Sequence, residues 1–184
     1  MGTAQVQGDL WGAQARDWAD IQERTGLPNF EAVFERTNIG PGTRLLDVGC
    51  GAGLAAQLAA SLGAQVTGID ASANLLEIAH ERVPAADFQI GEIEELPYAD
   101  HSFDIVTGFN SFQYAASPIT ALKEARRVAK PGGKVVMLVW GRAQDCDAAA
   151  TLAAVGKCLP PPPPGAGGPF ALSEPGIEIG RAHV

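Results

Sequence analysis

Leu45-Leu46-Asp47-Val48-Gly49-Cys50-Gly51-Ala52-Gly53 is an apolar run that breaks into glycines and continues from Leu54 as an Ala- and Leu-rich stretch. The pattern predicts a buried strand, a tight loop and a helix. Glycines at that junction let the chain turn sharply and let a ligand approach the amides of the helix N-terminus. A nucleotide-like ligand is therefore expected. No Lys followed by Ser or Thr comes after the glycines, so a Walker A phosphate loop is excluded. The third glycine, Gly53, also arrives one residue too early for the dinucleotide spacing G-x-G-x-x-G.

Working outward, strand-like segments at Arg44 to Val48, Gln65 to Ile69, Phe88 to Ile90, Phe103 to Gly108 and Lys134 to Trp140 alternate with helix-like ones. The helices are Leu54 to Leu62, Ala73 to Arg82 and Ile119 to Ala129. Such alternation predicts a Rossmann-like, doubly wound α/β sheet, mainly parallel, with helices on both faces. Gly63 and Pro84 mark helix ends, and Ser117-Pro118 supplies an N-cap and first-turn proline. Lys130-Pro131-Gly132-Gly133 reads as a turn delivering the chain into the fifth strand.

Three acidic positions stand at strand ends. Asp70 closes the second strand, about 20 residues beyond the loop, where a carboxylate can accept from ribose hydroxyls. Asp47 precedes the glycines. A carboxylate there repels a pyrophosphate but suits a ligand carrying an ammonium and a sulfonium; the structural alternative is a carboxylate that caps nearby amides. Glu92, just after the third strand, can accept from an adenine amino group while the Ile93 amide faces a ring nitrogen. Glu94 and Glu95 read as a solvated loop.

Thirteen Lys and Arg against 21 Asp and Glu leave a net charge of −8, with no basic stripe to track phosphates. Nucleic acid is a poor candidate partner, and a small molecule is the better one. No apolar run approaches the roughly 18 residues of a membrane span, and the first residues carry no secretory pattern. The default expectation is cytoplasmic, without stable membrane insertion. Three scattered cysteines and three scattered histidines give no ligand spacing, so no metal is expected.

Ahead of the sheet, Trp11, Ala15, Trp18 and Ile21 follow at steps of four, three and three, predicting one helical face between Asp9 and Arg24 with Asp9 as N-cap. A second helix is expected to start near Asn29. After the fifth strand, Asp147 to Leu159 reads as a helix and Pro160 to Pro164 as a polyproline spacer. The expected organisation is a core over 1–159 and a Pro/Gly-rich tail over 160–184. Within the core lie an N-terminal helical lid region (1–40), the cofactor-binding sheet (41–140) and a post-strand helix (141–159).

Four stretches in order carry a family resemblance: Leu46 to Gly53, Gly68-Ile69-Asp70-Ala71-Ser72, Gly91 to Pro97 with Ser102-Phe103-Asp104, and Lys130 to Gly133. Together they resemble class I S-adenosylmethionine-dependent methyltransferases with a type 11-like domain, a group acting on lipids, quinones and related small metabolites. The resemblance implies S-adenosylmethionine as cofactor and methyl transfer to a small-molecule acceptor. It places Asp47, Gly49 and Gly51 around the methionine moiety, with Cys50 and Gly53 in the same loop. Asp70 would hold the ribose, Ala71 would pack on adenine, Glu92 and Ile93 would read the adenine edge, and Phe109 would close the methionine side. The family commonly has Asp where this chain has Glu92, one methylene longer. Trp11 and Trp18 fit either a lid or an ordinary core helix.

Methyl transfer from a sulfonium needs alignment in a dry pocket more than a dedicated acid or base. No catalytic residue is assigned; Tyr114 and His101 are only nominal bases. The resemblance also implies a sheet continuing past the fifth strand into an antiparallel pair. The chain is therefore expected to stop short, leaving Val135 to Trp140 as an apolar edge prone to aggregation or dimerisation. Glu178 to Val184 reads like one frame of a common sequencing adapter. The rival expectations are a nicotinamide-dependent oxidoreductase and a remnant that binds the cofactor without turnover.

Overall fold

The computed structural model describes residues 2–159, 161 and 168–173. Its centre is β1 (Arg44–Val48), whose last four residues are buried because both faces of the strand are covered. Around it stand β2 (Gln65–Asp70), β3 (Asp87–Ile90), β4 (Phe103–Phe109) and β5 (Ala129–Leu138) in the order β3-β2-β1-β4-β5. Every pairing is parallel. The expected doubly wound sheet is present, and its order reverses between β1 and β4, where such folds open a crevice at the carboxyl ends of the strands.

Three helices pack one face: α3 (Leu27–Thr37), α4 (Leu54–Ser61) and α5 (Ala73–Arg82). Phe34, Leu45, Ala56, Ala59, Leu76 and Phe88 form the core there. α6 (Pro118–Val128) covers the other face, where Leu46, Val106, Phe112, Ala121 and Ala125 meet. Alanines on α4 and α6 let these helices lie close to the strands. Ser117 caps α6 by accepting from the Thr120 amide at 3.3 Å, ahead of Pro118, as the sequence predicts.

Several boundaries differ from expectation. The N-terminal region is not one helix starting at Asp9. α1 (Ala4–Gly12) places Asp9 in its interior, where its carboxylate accepts from the Gln5 amide group at 3.1 Å. The helix breaks at Ala13 and Gln14 and resumes as α2 (Ala15–Asp17), a π turn (Trp18–Gln22) and a 3-10 turn (Glu23–Gly26). The break turns both Trp11 and Trp18 inward, packed edge to face with centroids 4.9 Å apart. α3 starts at Leu27, with Pro28 in its first turn rather than ahead of it.

The Lys130–Gly133 turn lies within β5 instead of before it. Phe103 pairs with Ala129 and Ile105 with Lys134, so the four residues between bulge from the ladder. Gly132 takes the positive φ of 76° that the bulge requires. Lys130 Nζ bridges the bulge to Asp104 at 2.7 Å.

β5 ends at Leu138, short of the expected Trp140, and is the sheet's edge among the described residues. The stretch 168–173 folds back on its end: the Ser173 hydroxyl donates to the Trp140 carbonyl at 2.6 Å, and Leu172 packs on the α6-side core. Beyond a 3-10 turn (Ala143–Asp145), α7 (Asp147–Gly156) ends three residues before the expected Leu159 and buries none of its residues. The expectations for the proline run, except at Pro161, and for 178–184 lie outside the described residues. Among the described residues no helix is long and apolar enough to cross a membrane.

Candidate cofactor site

A cavity of about 160 Å³ opens at the carboxyl edge of the sheet, beside the reversal between β1 and β4. That is far more than one water needs, so it admits an organic ligand. Seven of the predicted residues line it: Gly49, Gly51, Asp70, Ala71, Glu92, Ile93 and Phe109. The parallel register explains their convergence, since Val48 lies beside Ile69 and Asp70 beside Ile90, so the exits of β1, β2 and β3 share one level.

The glycine loop is shaped by contact as well as by backbone. Gly49 has φ 73°, and a Cβ there would sit 2.3 Å from Ser111 Cβ. A Cβ on Gly51 would instead enter the cavity, 3.6 Å from Trp18 Nε1 and 3.7 Å from Glu23 Oε1. Gly51 therefore leaves open a cradle that any side chain would fill.

Asp70 is the junction of the site. Its Oδ2 accepts from the Gly51 amide at 2.8 Å and its Oδ1 from the Ser72 amide at 2.9 Å. The carboxylate thereby ties the first loop to the start of α5. Burial raises its pKa, opposed by these amide bonds.

Asp47, Cys50 and Gly53 stand behind the cavity wall. The Asp47 carboxylate is 1% exposed and accepts from the Thr107 hydroxyl at 2.8 Å, its register partner on β4. Burial pushes its pKa up to about 7, with Thr107 opposing and the charges of Glu23 and Asp70 adding. Cys50 is buried toward Gly68, and Gly53 packs on Ala79. The Cys50 thiol is likewise pushed up, first by burial and then by Asp70 and Asp47.

The Asp47 shift has a definite sign in stability. Between about pH 4 and about pH 7 the folded chain keeps a proton that the unfolded chain has released, so this group lowers stability as pH rises through that window. Asp47→Asn retains an acceptor for Thr107 and removes the titration. Urea denaturation at about pH 5 and about pH 8 should show the variant gaining stability relative to wild type on going up. A constant difference between the two proteins would place the titration elsewhere.

The N-terminal elements form the remaining wall, a contribution the sequence did not disclose in full. Trp11 and Trp18 both line the cavity, and Trp11 also meets Tyr114 at 5.5 Å. Burial drives the Tyr114 phenol up to about 12, so it is neutral at ordinary pH and unsuited to act as a base. His101, the other nominal base, precedes β4 at the opposite end of the sheet, with Nδ1 3.1 Å from the Ala129 carbonyl.

Glu23, which the sequence did not single out, lines the cavity while only 7% exposed. It accepts from Arg82 and, at 3.2 Å, from the Leu54 amide. Burial nevertheless raises its pKa. Ser111 also lines the cavity, nine-tenths buried, and its Oγ has no hydrogen-bond partner among the described residues. Neither carried a local sequence signal.

Fold and site together define a doubly wound α/β domain with a cleft at the carboxyl edge of its sheet, lined by glycines, acids and aromatic rings. Residues 46–137, half of the chain, match the family described as a methyltransferase domain. The chain belongs to that family.

Among relatives, it is 34% identical over 153 residues to the malonyl-[acyl-carrier protein] O-methyltransferase of Erwinia pyrifoliae, covering 82% of this chain and 57% of that protein. It is 41% identical over 105 residues to the demethylmenaquinone methyltransferase of Renibacterium salmoninarum, covering 57% and 44%. The solved structure of the [4+2]-cyclase SpnF superposes with a TM-score of 0.56 at 36% identity, covering 59% of this chain and 43% of that one. The chain thus spans about half the length of these relatives.

Proposed function

We propose that this chain binds S-adenosylmethionine at the carboxyl edge of its sheet and passes the methyl group to a small organic acceptor, in the cytoplasm. The observation that carries the reading is the cavity wall in which Asp70, Ala71, Glu92 and Ile93 follow one another beside the open Gly51 cradle. Asp70 suits ribose hydroxyls, and Glu92 with the Ile93 amide suits the adenine edge. The buried acids on the cavity wall suit a cation: Asp70 lies there beside Glu23, which Arg82 only partly offsets with its single charge. A pyrophosphate would meet that same charge, which disfavours the nicotinamide reading. The orphan Ser111 hydroxyl is a further polar group suited to a ligand.

When bound, the cofactor supplies an electrophilic methyl group. The protein's part is to hold both partners in line and exclude water, which the surround of Trp11, Trp18, Phe30, Phe109 and Tyr114 supports. In this reading 41–140 is the cofactor-binding sheet and 1–40 its lid. The relatives named for methyl transfer to a carrier-bound malonyl group and to a quinone support a small acceptor.

The test is calorimetric titration of the folded chain with S-adenosylhomocysteine and, separately, with NAD. Binding of the first alone is expected. Binding of NAD alone would replace this reading with the nicotinamide one, and binding of neither would remove the cofactor assignment.

A further inference from the structure

α1 starts without a cap of its own. Thr3 occupies the N-cap position, but its hydroxyl donates to the Tyr114 carbonyl at 2.8 Å and makes no cap bond. The first amide of the helix, that of Ala4, donates to Glu92 Oε2 at 3.0 Å, across 88 residues of sequence. A carboxylate there satisfies an orphan donor and meets the positive end of the helix dipole. Glu92 Oε1 receives only a long contact of 3.4 Å from the Glu94 amide, and the side chain lines the cavity. Its acceptor capacity is not exhausted.

Gly2 makes this arrangement possible. A Cβ at that position would stand 1.8 Å from Glu92 Oε2 and 2.3 Å from its Cδ. The obstructing group is the flexible end of a side chain, so an added methyl moves the carboxylate before it disturbs the fold. The two methylenes of the Glu92 side chain supply reach toward α1. That helix in turn contributes Thr3, Gln7 and Trp11 to the cavity wall.

We propose that the start of α1 positions the Glu92 carboxylate for the adenine amino group, with Gly2 the residue that leaves it room. Cofactor affinity and the docking of α1 then depend on one shared carboxylate. Gly2 is a positioning residue in this scheme, and the scheme rests on the adenine role given to Glu92 above.

Hydrogen exchange and calorimetry with S-adenosylhomocysteine test it. In the wild-type chain, saturating ligand should slow exchange of the α1 amides. Gly2→Ala should weaken binding about tenfold, the size of one charge-assisted hydrogen bond, and speed α1 exchange while leaving β1 and β4 protected. Glu92→Asp, which withdraws the carboxylate from Ala4, should speed α1 exchange in the free protein to a similar degree.

Wild-type affinity and wild-type α1 exchange in Gly2→Ala would overturn the proposal, as would ligand binding that leaves α1 exchange unchanged. A wild-type chain that binds no S-adenosylhomocysteine overturns the cofactor reading itself, and this proposal with it.

Discussion

Asp70→Ala is expected to weaken binding of S-adenosylhomocysteine by about 100-fold or more, in a chain that still folds. Charge-assisted hydrogen bonds are worth about 1.5–3 kcal/mol each, and two ribose hydroxyls can donate to this one carboxylate. The loss is compounded because the same oxygens accept from the Gly51 and Ser72 amides at 2.8 and 2.9 Å. Without them the glycine loop and the start of α5 lose their common anchor. Asp70→Asn keeps one acceptor oxygen and should fall between wild type and alanine. Calorimetry, with circular dichroism as the folding control, measures all three. Near wild-type affinity in folded Asp70→Ala would take the carboxylate out of the cofactor site.

Arg82→Met is expected to destabilise the chain by about 3–5 kcal/mol, the usual result of removing one partner from a buried ion pair. Arg82 and Glu23 are 19% and 7% exposed, so solvent screens them little. The guanidinium also donates to the Ala52 carbonyl at 2.8 Å and the Ala19 carbonyl at 3.0 Å. Its loss strands a carboxylate whose pKa burial already raises, together with two carbonyls.

Combining Arg82→Met with Glu23→Gln removes the stranded charge, so the double variant should be less destabilised than the two single effects added together. Urea denaturation of the four proteins gives the coupling directly. A single-variant loss below about 1 kcal/mol would mean the pair behaves like a surface salt bridge. Because Arg82 closes α5 and Glu23 belongs to the N-terminal wall, the same variant should loosen that wall over the cavity.

The parts of this protein legible in sequence are those that local chemistry dictates. The strand from Arg44 to Val48, the glycine loop and the helix from Leu54 follow from an apolar run, backbone freedom and helix propensity within a dozen or so residues. The same holds for the strand and helix starts at Gln65, Ala73 and Phe103, and the alternation of elements implies parallel pairing. Asp70 and Glu92 could be placed in advance because the carboxyl ends of parallel strands border the crevice where the sheet reverses, and Phe109 because the family resemblance implied it.

What sequence periodicity could not supply is the partner of each polar group. Asp47 sits at such a strand end too, yet its register opposite Thr107 turns it into the sheet. Trp11 and Trp18 share a face of a straight helix on paper, but across the break at Ala13 and Gln14 their rings meet edge to face, with Trp11 also against Tyr114. Glu23 looks like any solvated acid until Arg82, 59 residues away, closes on it, and the first amide of α1 finds its cap on Glu92.

The sequence by itself determined the sheet, its loop and the acids at its edge, because those depend on neighbours along the chain. The tertiary structure alone decided which buried charges are paired and which face the cavity, because those depend on neighbours brought together by the crossovers.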